Sequence, residues 1–218
     1  MQDLSRKFLT AQQQEQIEAA VQAAEKETSG EIVCMIQSAS YHYPMADVIG
    51  AAALSLPLAL AVTPLVGGWL WLGMHNMWLF LASFTLFFTA FYFAVKHTAW
   101  LKRLFISKHE IEEEVEEAAT ISFFRHGLYR TRDATGVLIF ISVFERKVWL
   151  LADRGINGKV PPGQWNATVS RITDGIRQKR PAEAIIEGIQ SVGRQLKAQF
   201  PVKPDDTDEL RNLIISEE

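Results

Sequence analysis

The stretch VIGAAALSLPLALAVTPLVGGWLWLGMHNMWLFLASFTLFFTAFYFAV runs from Val48 to Val95 and has no Asp, Glu, Lys or Arg in 48 residues, of which 35 are hydrophobic. The whole chain has 218 residues, with 22 Lys and Arg and 25 Asp and Glu, so every charged residue lies outside this stretch. A membrane-spanning helix needs about 20 consecutive apolar residues, and no soluble core requires so long an uncharged run. The stretch therefore excludes a wholly soluble globular protein.

Two apolar runs, Ile49 to Val66 and Met77 to Val95, are separated by the turn-forming residues Gly73, His75 and Asn76. Each run has the length of one span, so we predict a transmembrane helical hairpin over residues 44–98. One hairpin is too little for a multi-span transporter. The alternative is a helical hairpin buried in a soluble core.

The ends of the two spans carry aromatic and basic residues. Tryptophan is enriched at membrane–water interfaces, and Lys and Arg are enriched in loops on the cytoplasmic side of the membrane. The turn has no Lys or Arg, so both termini are predicted to lie in the cytoplasm, with two spans in what we expect to be a bacterial inner membrane. A reducing cytosol also suits a chain with one cysteine, Cys34. The predicted membrane-interface residues are Trp69, Trp71, Trp78, Trp100, Lys96, Lys102 and Arg103.

The flanking segments have ordinary soluble composition and alternate between helical and strand patterns. Thr10-Ala11-Gln12-Gln13 is a capping box that begins a helix, and Glu31–Ser38 is a short apolar strand. After the hairpin a helix from Ser107 precedes two strands, Gly136–Val143 and Lys147–Leu151.

Two further helices, over 164–179 and 182–200, complete the pattern. A helical crossover makes the first two strands parallel, and a short turn makes the third antiparallel to the second. We therefore predict a small α/β sandwich with a mixed sheet, divided between residues 1–43 and 99–200. Residues 201–218 are expected to form an acidic tail, with a short amphipathic helix at Leu210, Leu213 and Ile214.

Four segments together resemble the TPM domain family: Phe8–Thr10, Thr28–Ile32, Asp133–Leu138 and Val148–Gly155. The resemblance covers both flanks and omits the hairpin. It implies an α/β sandwich, in agreement with the pattern above. Some members of the family are described as acid phosphatases, some bind divalent cations through loop acids, and others are assembly or accessory factors for membrane complexes.

The predicted topology brings three acidic loop residues, Glu31, Asp133 and Asp153, to the edge of the sheet opposite the hairpin. Carboxylate oxygens suit hard cations, so these residues are candidate ligands for Ca²⁺ or Mg²⁺. The alternative is that Asp133 caps a turn and Asp153 ends a strand. Neighbouring candidates for contact with a ligand or partner are Thr135, Arg154 and Gly155.

Two functions follow from these patterns. The first is a membrane-anchored TPM-like module for interaction or assembly, whose partners are other membrane proteins or a second copy, and the lipid bilayer. The second is a divalent-metal-dependent phosphatase. Whether the chain is an enzyme stays open, although the lack of a nucleophile–base pair in the sequence favours the first function. An isoelectric point near 6.0 argues against nucleic acid as a partner.

Overall fold

The computed structural model describes residues 4–73, 75–161, 163–203 and 209–216. They form two compact units. One extends from His42 to Ile111, and the other combines the residues up to Tyr41 with those from Glu112 onward. The helices are α1 Leu4–Phe8, α2 Ala11–Glu25, α3 Pro44–Trp69, α4 Met77–His97, α5 Ala99–Arg103, α6 Lys108–Arg125, α7 Arg154–Asn157, α8 Asn166–Arg177 and α9 Pro181–Gln199. The strands are β1 Glu31–Gln37, β2 Gly136–Ser142, β3 Lys147–Ala152 and β4 Leu213–Ser216.

The second unit is built on a mixed four-stranded sheet with the strand order β3-β2-β1-β4. β1 pairs in parallel with β2, and β2 pairs antiparallel with β3. Both pairings confirm the α/β prediction. The capping box of α2 is also confirmed, because the side chain of Gln13 accepts the backbone N–H of Thr10 at 2.9 Å and the Thr10 hydroxyl accepts that of Gln13 at 3.3 Å.

The predicted helix at the C-terminus is wrong. Leu213–Ser216 forms a strand instead, and it pairs in parallel with β1. Without it β1 would be an edge strand with unpaired backbone groups, and Ile214 and Ile215 are β-branched residues that favour strands. The N–H of Cys34 donates to the Asn212 carbonyl at 3.0 Å. Asp205, Asp206 and Asp208, which define the predicted acidic tail, lie outside the described residues.

The core of this unit lies between one face of the sheet and the helices α2, α8 and α9. Alternate residues of β1, Ile32, Cys34 and Ile36, are fully buried there. The other face is also covered, since Val33 and Phe140 are buried on it. Burial on both faces explains why the central strands are continuous apolar runs rather than alternating ones.

The first unit contains α3 and α4, which are long and apolar enough to cross a membrane by length and composition. Only 28% of the most apolar window of α3 and 6% of that of α4 are buried. The two helices pack on each other, with the Thr63 and Ser83 hydroxyls 3.4 Å apart. Each hydroxyl also donates to its own helix, so neither polar group is left without a hydrogen bond.

Candidate functional site at one edge of the sheet

The predicted site residues lie where β1 and β2 begin and β3 ends. Backbone hydrogen bonds connect these three points, from Glu31 N–H to the Thr135 carbonyl at 3.1 Å and from Asp153 N–H to the Gly136 carbonyl at 2.9 Å. The sequence therefore identified a real juxtaposition. What the side chains do there differs from one residue to the next.

A cavity of about 410 Å³ opens at this edge. Three predicted residues, Asp133, Thr135 and Gly155, line it. Glu31, Asp153 and Arg154 do not line it. The other lining residues are Ser29 before β1, Lys159 after α7, and residues 199–203 at and after the end of α9, which include Phe200 and Lys203.

Thr135 and Gly155 hold the backbone of this edge together. The buried Thr135 hydroxyl donates to the Ser29 carbonyl at 3.0 Å, which ties β2 to the residues before β1. Gly155 donates its N–H to the Ala134 carbonyl at 3.0 Å. A Cβ on Gly155 would lie 2.6 Å from two carbonyl oxygens, those of Asp133 and Ala134, so this close approach requires glycine. Both residues therefore stabilise this edge of the sheet.

Asp133 forms an ion pair with the segment after α9. Its Oδ2 lies 2.7 Å from the Lys203 ammonium and 3.8 Å from Arg132 Nε. Both side chains of the closer pair are partly exposed, so its contribution to stability is about 0.2–1 kcal/mol. The Lys203 ammonium therefore lies where a metal cation bound to Asp133 would have to lie.

Asp153 is the N-cap of α7, and its Oδ1 accepts the Arg154 N–H at 2.6 Å. Asp153 also directly follows β3, as in the alternative in which it ends a strand. Its Oδ2 is buried without a hydrogen bond from any residue that the structure describes. Arg154 is exposed, whereas Glu31 is buried at the start of β1.

Within residues 4–73, 75–161, 163–203 and 209–216, no group of three or more His, Cys, Asp or Glu side chains lies close enough to hold a metal ion. The Ca²⁺ or Mg²⁺ set of Glu31, Asp133 and Asp153 therefore stays a prediction, without a preformed cluster to support it.

The basic and aromatic side of the cavity contains none of the predicted site residues. Lys159 places its ammonium 4.3 Å from the centre of the Phe200 ring and 3.4 Å from the Gln199 carbonyl. Lys159 is far from both Asp133 and Phe200 in the sequence, and the three residues do not form a sequence motif. A pattern of one Lys before α8 and one after α9 gives no signal that the two share a cavity.

The predicted membrane-interface residues fall into two groups. The four tryptophans are exposed, from 66% for Trp100 to 95% for Trp71, and Lys96 is exposed as well. Lys102 differs, because it is 5% exposed and its ammonium lies 3.0 Å from Asp47 Oδ1. A buried charge needs a partner, and Asp47 supplies it. Arg103 is half-buried.

Two titratable groups of the α/β unit have shifted pKa values. Burial raises the pKa of the Cys34 thiol to about 12. Burial and then the charges of Arg125 and Arg211 lower the pKa of His126. At neutral pH the thiol is thus protonated and the imidazole neutral, so Cys34 lacks the thiolate that a nucleophile needs.

Comparisons with known proteins agree with this picture of the fold. A family model described as the TPM domain matches residues 102–195. No curated protein matches the sequence. The NMR structure of the BA42 protein from the psychrophilic bacterium Bizionia argentinensis is similar with a TM-score of 0.60, over 97% of each chain and at 22% identity, a level that indicates a shared fold. Residues 102–195, which extend from the end of α5 into α9, are therefore similar to the TPM domain.

Proposed function

We propose that α3 and α4 anchor the chain in a lipid bilayer and that its TPM domain is an interaction or assembly module for a membrane protein complex. The observation that carries this proposal is the exposed apolar surface of α3 and α4. In the most apolar window of each helix, 72% of α3 and 94% of α4 is not buried. In water such a surface is unfavourable by about 25 cal/mol for each Å² of apolar area, whereas in lipid this penalty disappears.

The chemistry of the sheet edge supports a module rather than a catalyst. Thr135 bonds to the backbone, Asp133 pairs with Lys203, and Asp153 caps α7. Each of these groups is engaged in holding the fold together, as expected of a scaffold that binds other molecules through its surface.

The membrane part is tested by extraction. Membranes of cells that express the full chain are washed with alkaline carbonate, which releases peripheral proteins. We expect the chain to stay in the pellet and to be released only by detergent. Appearance in the carbonate supernatant would contradict anchoring by α3 and α4.

The orientation follows from the charges that flank the hairpin. Lys96 lies in the last turn of α4, Arg103 and Lys108 follow that helix, and the turn between α3 and α4 has no Lys or Arg. Both termini thus belong in the cytoplasm. Reporter fusions at Met1 and Glu218 are expected to report cytoplasm, and one inserted at Gly73 to report the opposite side. A reversed pattern would show that charge does not set the orientation.

The assembly part is tested by cross-linking in native membranes, followed by detergent extraction and size separation. We expect the chain to migrate in species well above its own mass of 24.6 kDa, even after correction for bound detergent.

The purified chain is assayed in parallel for phosphatase activity with Mg²⁺ or Ca²⁺. A lone chain after cross-linking, or a metal-dependent phosphatase activity, would contradict the proposal.

A further inference from the structure

β3 is an edge strand of the sheet, and a cleft of about 490 Å³ runs along it. Four consecutive residues, Lys147 to Leu150, line the cleft. None of its lining residues also lines the cavity at Asp133, so the cleft is a separate site.

The cleft lies between two helices on opposite faces of the sheet. Val148 and Leu150 belong to the core that includes Trp165 and Val169, which places α8 on their face. Lys147 points to the other face, where its ammonium lies 2.7 Å from Glu112 of α6. The edge of β3 is thus a slot with one helical wall on each side.

The backbone of β3 alternates between groups that bond to β2 and groups that point into the slot. Asp153 N–H donates to the Gly136 carbonyl, one position beyond the register pair of Val137 and Ala152. In an antiparallel pair such bonded positions alternate, so Trp149 and Leu151 face β2 while Val148 and Leu150 face outward. No hydrogen bond in the described part of the chain reaches the outward backbone groups of Val148 and Leu150.

The side chains around the slot are apolar near the strand and charge-neutral at the surface. Trp149 and Val115 line one wall, and Trp165 and Val169 line the other. The charged lining residues pair among themselves, Glu112 with Lys147 at 2.7 Å and Asp174 with Arg177 at 3.4 Å. A ligand for this slot therefore needs backbone hydrogen-bonding groups and apolar side chains, and no net charge.

We propose that the slot binds an extended peptide segment of a partner protein, which adds to the sheet as a fifth strand beside β3. This inference rests on the proposed assembly function and names its mode of contact. An added strand bonds to Val148 and Leu150 and continues both rows of side chains. Its alternate residues face Trp149 on one side and Trp165 on the other, so the expected segment is apolar at both sets of positions.

A bare strand fits this geometry better than a second copy of the chain. A second β3 would bring its own α6 and α8 with it, and those helices stand beside the strand that would have to enter the slot. A small polar ligand is also a poor fit, since it offers no row of backbone groups.

The test uses the full chain in lipid nanodiscs and a phage library of random 12-residue peptides as the probe. We expect enriched peptides that contain a run of consecutive apolar residues, since both sets of alternate positions face a tryptophan. An enriched peptide is then synthesised with N-methyl groups on either set of alternate residues. Methylation of the set that faces β3 removes its donors and should weaken binding by about tenfold or more, while methylation of the other set leaves binding unchanged.

Two matched variants of α8 examine the slot itself. Ser170 is exposed and lines it, whereas Ala167 is exposed and does not. Ser170→Arg is expected to weaken peptide binding by about tenfold or more, and Ala167→Arg to leave it unchanged, with melting temperatures of both near wild type. This pattern would support the proposal.

Four results would overturn it: no enriched peptide on the wild-type chain, equal binding by Ser170→Arg, equal effects of both methylation sets, or a wild-type dimer that Ser170→Arg dissociates. Cross-linking of Ser170→Arg in native membranes separates this inference from the assembly function. If its cross-linked species match those of the wild type, assembly stands and the slot is not its contact. If the wild type forms none, assembly itself fails.

Discussion

Cys34 shows at the scale of one residue how the central strand is protected. It lies in β1 between Ile139 of β2 and Leu213 of β4, and it is fully buried. Burial disfavours the charged thiolate and so raises the pKa to about 12. The native thiol therefore lacks both access and reactivity.

This predicts that a thiol reagent leaves the native chain unmodified at pH 8 and modifies Cys34 at once in denaturant. Because Cys34 is the single cysteine, the labelling rate measures opening of the sheet. An exposed cysteine introduced as Ser170→Cys is the control and should react in the native state. Fast native labelling at Cys34 would mean that β4 leaves β1 readily.

The Asp133–Lys203 ion pair predicts how the predicted metal site responds to Ca²⁺ and Mg²⁺. The ammonium lies 2.7 Å from the carboxylate, so a divalent cation has to displace it. We expect millimolar Ca²⁺ or Mg²⁺ to leave the melting temperature unmoved, measured by differential scanning fluorimetry. If the site does bind a cation, a cation concentration one hundredfold above Kd would instead raise the free energy of unfolding by about 2.7 kcal/mol.

Two variants complete that experiment. Lys203→Ala should lower stability by less than about 1 kcal/mol, as should the comparable exposed-pair variant Lys197→Ala. A dose-dependent rise in the wild type, lost in the double variant Asp133→Asn with Asp153→Asn, would establish the metal site against our expectation.

At the scale of elements, α8 and α9 pack closely through glycine. A Cβ on Gly175 of α8 would overlap the Cβ of Ala184 in α9. The colliding atoms are short side chains near the backbone, which can move away only if the helices separate. Glycine lowers helix propensity, so its presence in the middle of α8 is explained by this contact.

Gly175→Ala is therefore expected to destabilise the domain by about 1–3 kcal/mol despite its better helix propensity. Gly158→Ala is the matched control, because its nearest atom, the Arg154 carbonyl oxygen, lies 3.4 Å from the added Cβ. That control should be close to neutral. Chemical denaturation measures both, and equal stability of the two variants would show that α8 and α9 can separate without loss.

The elements that the sequence predicts correctly are those with a local signal. The capping box at Thr10 and the short turn between β2 and β3 are set by residues near in sequence. β4 has only a weak local signal, the β-branched Ile214 and Ile215, and these four residues form a strand because β1 offers a free edge. The same holds for the cavity, where Asp133 and Lys203 meet although 70 positions separate them. Contacts of this kind depend on the whole sheet and not on local pattern.

At the scale of the whole molecule, the apolar helices α3 and α4 are inserted in the sequence between β1 and β2, two neighbouring strands of one sheet. These strands pair from Glu31 and Gly136 to Gln37 and Ser142, although the inserted unit lies between them in sequence. A loop closure becomes only slightly more unfavourable as the loop lengthens, by about 0.6 kcal/mol for each doubling. An insertion of this size is thus compatible with a stable sheet, and we expect the sheet to fold without it.

The last prediction tests this expectation. Replacing residues 42–107 by a flexible Gly/Ser linker keeps all four strands and the whole of α6, and removes α3, α4 and the buried Asp47–Lys102 pair together. We expect a soluble protein that melts in one cooperative transition, since the apolar surface has gone while the core between β1, α2 and α9 is intact. Circular dichroism and size-exclusion chromatography measure the outcome.

A variant that retains α3 and α4 but loses only the salt bridge, Asp47→Asn with Lys102→Met, is the control and should still require detergent. An aggregated or unfolded linker variant would mean that residues 42–107 supply part of the folding free energy, and that the two compact units are not independent.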